Sequence, residues 1–255
     1  HDPAVNFMNC GTQLFDRPTL GAWLSYGLGS ENGDLPAYVV LTSGADDGQP
    51  LLQSFWGNGF LNTRHAGVPF RSEGSPVLYL DNPAGLRRAD RRRQLDLIQW
   101  MNQRQFSVLS DPEIAARIAS FEMAFRMQIS VPELTDLHSE PQHVLNLYGA
   151  EPGKGSFANN CLLARRLVER GVRMIQLYDR GWDSHLNIEV DHKRQCDAVD
   201  RPIMALIKDL KIRGLLDDTL VVWGGEFGRS PGAEVTSKRG GRDHHPWGFT
   251  FWMAG

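Results

Sequence analysis

Three short segments of the 255-residue chain carry side chains that bind metal ions and anions. The first contains Asp183 and His185, the second contains Glu226 and Arg229, and the third spans residues 240–246. Carboxylates and neutral imidazoles are the usual ligands of divalent ions such as zinc, manganese or calcium, and a catalytic ion needs about three of them. The three segments together therefore supply enough ligands for at least one ion.

The side chains of these segments divide into metal ligands and anion binders. Arg229 and Arg242 are candidate anion binders, because a planar guanidinium pairs with the oxygens of sulfate or phosphate. His245 is a second choice, as a ligand or as a proton donor to a leaving group. The candidate metal ligands are Asp183, His185, Glu226, Asp243 and His244, with His192 as a second choice. The combination predicts metal-assisted chemistry on a tetrahedral oxyanion.

The same residues also have a plainer interpretation. Taken alone, an Asp-x-His sequence is usually a turn residue followed by a surface histidine, and His65, His138 and His143 are interpreted as structural. What favours a shared site is the position of all three segments directly after predicted elements of a sheet. Trp182 and Trp247 adjoin the candidate ligands and could wall a substrate pocket.

The hydrophobic pattern predicts an α/β fold that would bring the three segments together. Two successive helix-then-strand units indicate a parallel sheet covered by helices, and ligands collect at the carboxyl ends of such strands. Pro202 should kink its helix or mark its first turn. The predicted strands are residues 37–42, 77–80, 172–178, 220–223 and 249–255, and the predicted helices are 19–28, 83–106, 111–127, 157–171 and 199–214.

Composition excludes several other classes of protein. Hydrophobic residues make up 41% of the chain, the net charge is −3, and long apolar runs are absent. These values favour one globular domain over residues 1–255, with no membrane span and no nucleic acid partner. The arginine-rich run 87–93 is interpreted as a solvated helix face. Three scattered cysteines exclude a disulfide framework.

Longer motifs around the candidate ligands resemble the bacterial DUF1501 family of unknown function, which is related to sulfatases and the alkaline phosphatase superfamily. The resemblance lies in Gly-Trp-Asp-Ser-His at 181–185, in Gly-Glu-Phe-Gly-Arg-Ser-Pro at 225–231 and in Gly-Arg-Asp-His-His-Pro at 241–246, and it extends to residues 18–30. It implies a three-layer α/β/α sandwich with a mostly parallel sheet and metal ligands at the strand ends. The chain would then be one such domain, truncated at both ends.

Two positions depart from the sulfatase pattern. His1 occupies the place of the nucleophilic cysteine or serine, so the resemblance leaves it as a nucleophile or as a metal ligand. Glu226 takes the place of a metal-binding aspartate, and Phe227 takes the place of a second ligand that a phenyl ring cannot supply.

The leading hypothesis is a metal-dependent hydrolase of sulfate or phosphate esters, either of small molecules or of polysaccharides. The alternative is a non-catalytic exported binding protein that keeps the sulfatase-like fold, which the departures at His1 and Phe227 favour. Family members usually carry a twin-arginine leader, so the resemblance implies a periplasmic or extracytoplasmic location.

Overall fold

The chain folds into a mixed α/β structure whose helices surround a short parallel sheet. A computed structural model describes residues 1–44, 51–71, 74–232 and 240–255. In these residues the helices are α1 (Asp2–Cys10), α2 (Leu20–Leu28), α3 (Arg88–Leu109), α4 (Pro112–Thr135), α5 (Gln142–Tyr148), α6 (Phe157–Glu169) and α7 (Ile188–Ile212). The strands are β1 (Tyr38–Gly44), β2 (Val68–Phe70), β3 (Met174–Arg180), β4 (Val221–Gly224), β5 (Gly228–Arg229), β6 (His244–His245) and β7 (Phe251–Ala254).

The parallel sheet has the strand order β2-β1-β3, with β1 in the centre. Tyr38 is paired with Met174 and Gly44 with Arg180, so β1 and β3 are aligned along their whole length. Both strands therefore end at the same edge of the sheet, and the Asp183 segment leaves from that edge. The prediction of an α/β fold with a parallel sheet is confirmed.

Alternate side chains of β1 pack on opposite sides of the sheet, as the pleat of a strand requires. Val39 and Leu41 lie in a core with residues of α4 and α6, whereas Val40 lies in a core with Phe55 and Trp56. On this second side α2 approaches closely, because a Cβ at Gly21 would lie 2.4 Å from the ring of Tyr38. Helices and loops thus cover both faces of the sheet.

The C-terminal strands form two separate antiparallel pairs. β4 pairs with β7 and β5 pairs with β6. A strand at 220–223 and another within 249–255 were correctly predicted, but the prediction that the first would extend the parallel sheet is wrong. The strand pairs instead with β7, where Trp223 lies opposite Trp252. An apolar strand sequence is compatible with an antiparallel partner as well as with a parallel one, so the sequence could not decide between them.

One local prediction is also wrong. Residues 77–80 form a turn rather than a strand, with Tyr79 in the left-handed region at φ 60°. The apolar signal there came from Leu80, which is buried in the core as part of a loop. Of the two alternatives predicted for Pro202, the first turn is excluded, because this residue lies inside α7. Among the described residues, no helix combines the length and apolarity that a membrane crossing needs.

Candidate functional site

The three predicted segments converge beyond the carboxyl end of β3. Asp183 and His185 lie in the loop after β3, Glu226 lies between β4 and β5, and Asp243 directly precedes β6. His1 joins them as the residue before α1. The predicted convergence of the three segments is therefore observed.

Three imidazoles surround the carboxylate of Asp183, and we call this group the imidazole cluster. The Nε2 atoms of His185 and His244 both lie 3.0 Å from Oδ1 of Asp183, and they lie 3.1 Å from each other. The Nε2 atom of His1 lies 3.0 Å from Oδ2 of the same carboxylate. One atom each from His1, Asp183 and His244 lie within 4.8 Å of one another, a spacing that a single metal ion could bridge.

Two of the imidazoles carry a second carboxylate on their opposite nitrogen. The Nδ1 of His1 lies 2.5 Å from Oε1 of Glu226, and the Nδ1 of His185 lies 2.9 Å from Oδ1 of Asp243. An ionised carboxylate only accepts hydrogen bonds, so each of these contacts suits an imidazole that donates from Nδ1. Glu226 and Asp243, predicted as metal ligands, thus lie beside the Nδ1 atoms of two imidazoles.

The imidazoles of His1 and His185 each lie between two carboxylates, because their Nε2 atoms face Asp183 and their Nδ1 atoms face Glu226 and Asp243. Wherever such a ring presents a lone pair to a carboxylate oxygen, the two repel each other. Nε2 of His1 is buried and has no hydrogen-bond partner among the described residues, although it is 3.0 Å from Asp183. A cation between these atoms, either a proton or a metal ion, would offset the repulsion. The donor set thus fits a divalent ion.

Arg229 and His244 reach Asp183 from the short β5–β6 pair. They lie directly opposite each other in that pair, so their side chains share one face. Nη2 of Arg229 donates to Oδ1 of Asp183 at 2.6 Å and also to the carbonyl of Trp182. His245, the next residue after His244, must point to the opposite face. The structure therefore places Arg229 at the cluster and turns His245 away from it.

The loop before β6 is held tightly against the loop that carries His185. The backbone N–H of Arg242 donates to the carbonyl of Ser184 at 3.1 Å, and the N–H of Ile188 donates to the carbonyl of Gly240 at 3.0 Å. A Cβ at Gly241 would lie 1.7 Å from the carbonyl oxygen of His185. Only glycine permits this approach, which positions Asp243 beside His185.

Burial and charge act in opposite directions on Asp183. Burial alone would raise the pKa of its carboxyl, but hydrogen bonds from His244 and Arg229 outweigh burial and bring the pKa below 3.8. Asp183 is therefore ionised at neutral pH and available to a cation.

His192 lies outside the imidazole cluster. Burial lowers the pKa of His192, and the charges of Arg229 and Arg242 lower it further. His192 packs edge-on against Trp182 rather than in the imidazole cluster.

Phe227 packs against the imidazole cluster as an apolar wall. Its ring centroid lies 4.9 Å from that of His1 and 4.5 Å from that of His244. The residue that cannot bind a metal thus shields two of the candidate ligands from water.

The sequence did not predict that Asp179, near the end of β3, would hold Trp182 by a hydrogen bond. Its carboxylate accepts hydrogen bonds from Nε1 of Trp182 and from Oγ of Ser43, both at 3.0 Å. Burial raises its pKa, and these two hydrogen bonds offset part of the rise. The signal available in the sequence was a carboxylate at the end of a buried strand.

Comparison with known proteins identifies a family but no characterised relative. The family model described as a protein of unknown function (DUF1501) matches residues 1–255. No curated protein and no solved structure matches this chain.

Proposed function

The chain belongs to the DUF1501 family, whose description gives no function, and from the geometry of its site we propose that it is a metal-dependent hydrolase of sulfate or phosphate esters. The observation that carries the proposal is the pair of imidazole Nε2 atoms, from His1 and His185, that face the Asp183 carboxylate while their Nδ1 atoms face Glu226 and Asp243. Metal-binding histidines typically carry a carboxylate on their second nitrogen in this way.

The proposed ligands are His1, Asp183, His185 and His244. His1 acts as a ligand rather than as the nucleophile, because its Nε2 atom is buried against Asp183 and a substrate cannot reach it. Three imidazole nitrogens suit zinc or manganese better than calcium, and such an ion would polarise the ester oxygen and lower the pKa of a water molecule. Water would then be the nucleophile, because position 1 carries neither a cysteine nor a serine.

The other residues of the site orient the ligands and attract the substrate. Glu226 and Asp243 keep the Nε2 atoms of His1 and His185 directed at the ion, and Arg229 holds the carboxylate of Asp183 in place. Arg242 is exposed beside the cluster, where its positive charge would attract a sulfate or phosphate group. Phe227 limits the access of bulk water from one side.

The finer fold assignment and the location belong to the same proposal. Helices on both faces of a parallel sheet support a three-layer α/β/α sandwich of the alkaline phosphatase superfamily. Membership of a family whose members usually carry a twin-arginine leader supports an exported, periplasmic protein.

A direct test measures metal content and turnover on the full-length protein. After dialysis against zinc, manganese or calcium, bound metal is measured by plasma mass spectrometry, and 4-nitrophenyl sulfate and 4-nitrophenyl phosphate are assayed. We expect metal binding and turnover that Asp183→Ala and His244→Ala abolish. His143→Ala, an exposed histidine of α5, is the matched control and should change neither. Absence of bound metal, or turnover that survives Asp183→Ala, contradicts the proposal.

Two observations favour a second candidate function. Phe227 packs on His1 and His244, and Arg229 already donates a hydrogen bond to Asp183. In this candidate the protein binds its ligand without hydrolysing it. Bound metal that depends on Asp183, with no turnover of either ester, would support the second candidate over the first.

A further inference from the structure

A cleft lined by three tryptophans lies beside the imidazole cluster. Trp182, Trp223 and Trp252 form one side of it, and one face of α7 forms the other, with Val199, Ile203 and Met204. Val199 and Ile203 are four positions apart, as are Asp200 and Met204, so each pair lies on one side of the helix. The cleft has a volume of about 420 Å³, within the range of roughly 300 to 1,000 Å³ that is usual for small-molecule sites.

The walls of the cleft are fixed in place by contacts outside it. Trp223 and Trp252 are paired across β4 and β7, and their rings are stacked at 6.2 Å with an interplanar angle of 12°. The indole N–H of Trp182 donates to Asp179, and its ring packs against His192. A ligand would therefore meet preformed aromatic surfaces.

The cleft also adjoins the candidate site along the chain. Trp182, which lines the cleft, directly precedes Asp183, and its carbonyl oxygen accepts a hydrogen bond from Arg229 at 3.3 Å. Consecutive Cα atoms are about 3.8 Å apart. The lining of the cleft and the imidazole cluster are therefore direct neighbours in the chain.

The lining chemistry selects one kind of occupant. Apart from the indole N–H groups, the polar side chains of the lining reduce to Asp200 and the thiol of Cys196. A sugar ring needs several hydrogen-bond partners for its hydroxyl groups, and this lining supplies few of them. An uncharged aromatic group buries its faces against the indoles at no such cost. The carboxylate of Asp200 disfavours an anion in the cleft.

We infer that this cleft binds the uncharged aryl part of an ester whose sulfate or phosphate group lies at the imidazole cluster. The inference rests on the proposed function for the position of the anionic group. It narrows the substrate class to aryl esters and makes Ile203, Met204 and the three tryptophans specificity-determining residues.

The test uses 2-naphthol, which carries no ester, and measures its binding to the full-length protein by isothermal titration calorimetry. Ile203→Trp and Met204→Trp add an indole inside the cleft, and each should weaken 2-naphthol binding at least about tenfold. Val222→Trp is the matched control, because Val222 lies on the opposite face of β4 and adds the same group outside the cleft. It should leave the affinity unchanged.

A second probe examines the polarity of the ligand. Methyl glucoside should not compete with 2-naphthol. The inference is overturned if 2-naphthol does not bind, if both filling variants bind it like the control, or if methyl glucoside competes equally well.

Failure of this inference is distinguishable from failure of the proposed hydrolysis. Binding of 2-naphthol requires neither a metal nor turnover, so an inactive protein that binds 2-naphthol in the cleft retains the aryl site and loses only the hydrolase proposal. A protein that hydrolyses 4-nitrophenyl esters but binds no 2-naphthol loses only the aryl site.

Discussion

The imidazole cluster and a buried arginine network between α6 and α7 use charged side chains in opposite ways. In the network, Arg165 lies 2.7 Å from Glu140, 2.6 Å from Glu169 and 3.2 Å from Asp209. Its side chain is only 3% exposed. Arginine always carries a positive charge and carboxylates are its usual counter-ions, so the charges of the network are paired by its own residues.

The imidazole cluster is not satisfied by its own residues in the same way. Its histidines can present either a proton or a lone pair, and two of them present their Nε2 atoms to the oxygens of Asp183. The network thus pairs its charges without an added ion, whereas we propose that a cation completes the cluster. The contrast is between charges paired within the fold and charges proposed to bind an ion.

The largest expected effect is on the arginine network. Arg165→Met removes the cation that joins three carboxylates and leaves them only Arg166 and Arg213. Breaking a buried pair costs about 3–5 kcal/mol of the free energy of unfolding. Urea unfolding followed by circular dichroism measures the loss. Arg173→Met is the control, because Arg173 pairs with the exposed Glu31 and should cost about 0–1 kcal/mol. Equal losses of unfolding free energy in the two variants would show that the buried network stabilises the fold no more than a surface ion pair does.

The next effect concerns the imidazole cluster and an added metal. Zinc at about 100 times its dissociation constant should stabilise the folded protein by about 2.7 kcal/mol, and a chelator should reverse this. Differential scanning calorimetry with and without zinc checks the prediction. Asp183→Asn should abolish the shift, and Arg165→Met should retain it if the variant folds. A zinc shift that persists in Asp183→Asn would place the ion elsewhere.

A smaller effect is expected at the carboxylates that orient the imidazoles. Glu226→Gln and Asp243→Asn should each weaken metal affinity about 10- to 100-fold, as loss of such partners does at other metal sites. Competition with a fluorescent zinc indicator measures the affinity. Neither variant should change the unfolding energy of the metal-free protein as strongly as Arg165→Met does. If metal binding is lost entirely, these residues are ligands rather than orienting groups.

The smallest effect is a pH dependence that belongs to the network. Burial alone would raise the pKa of Glu140, but hydrogen bonds and charge interactions with Arg165 and Arg166 bring it below its ordinary value of 4.5. Because the folded-state pKa is lower than the unfolded-state pKa, Glu140 stabilises the protein above pH 4.5. That contribution is lost as the pH falls through the lowered pKa.

Urea unfolding between pH 3 and pH 7 tests the role of Glu140. Glu140→Gln should flatten the fall in stability at the acidic end of this range, where wild-type protein loses the Glu140 contribution. An unchanged pH profile in the variant would show that other carboxylates control acid stability.

Local sequence was sufficient for the elements that carry the site. The β-branched run at 37–42 and the apolar run at 172–178 predicted β1 and β3 with small shifts at their ends, because short apolar runs bounded by turn residues favour strands. Thr19 accepts a hydrogen bond from the N–H of Ala22 and so begins α2 where the prediction placed a helix. The order of strands and ligands along the chain also predicted where the site lies.

Sequence by itself determined which residue types meet, and tertiary structure decided what each of them does. Glu226 and Asp243 have the chemistry of ligands, but only their distances to the Nδ1 atoms of His1 and His185 make them orienting groups. In the same way, the apolar run of β4 determined a strand, and its pairing with β7 rather than β3 depended on backbone hydrogen bonds between residues about 30 positions apart. Periodicity reports the burial of a side chain, whereas roles and strand partners depend on distances between atoms far apart in the chain.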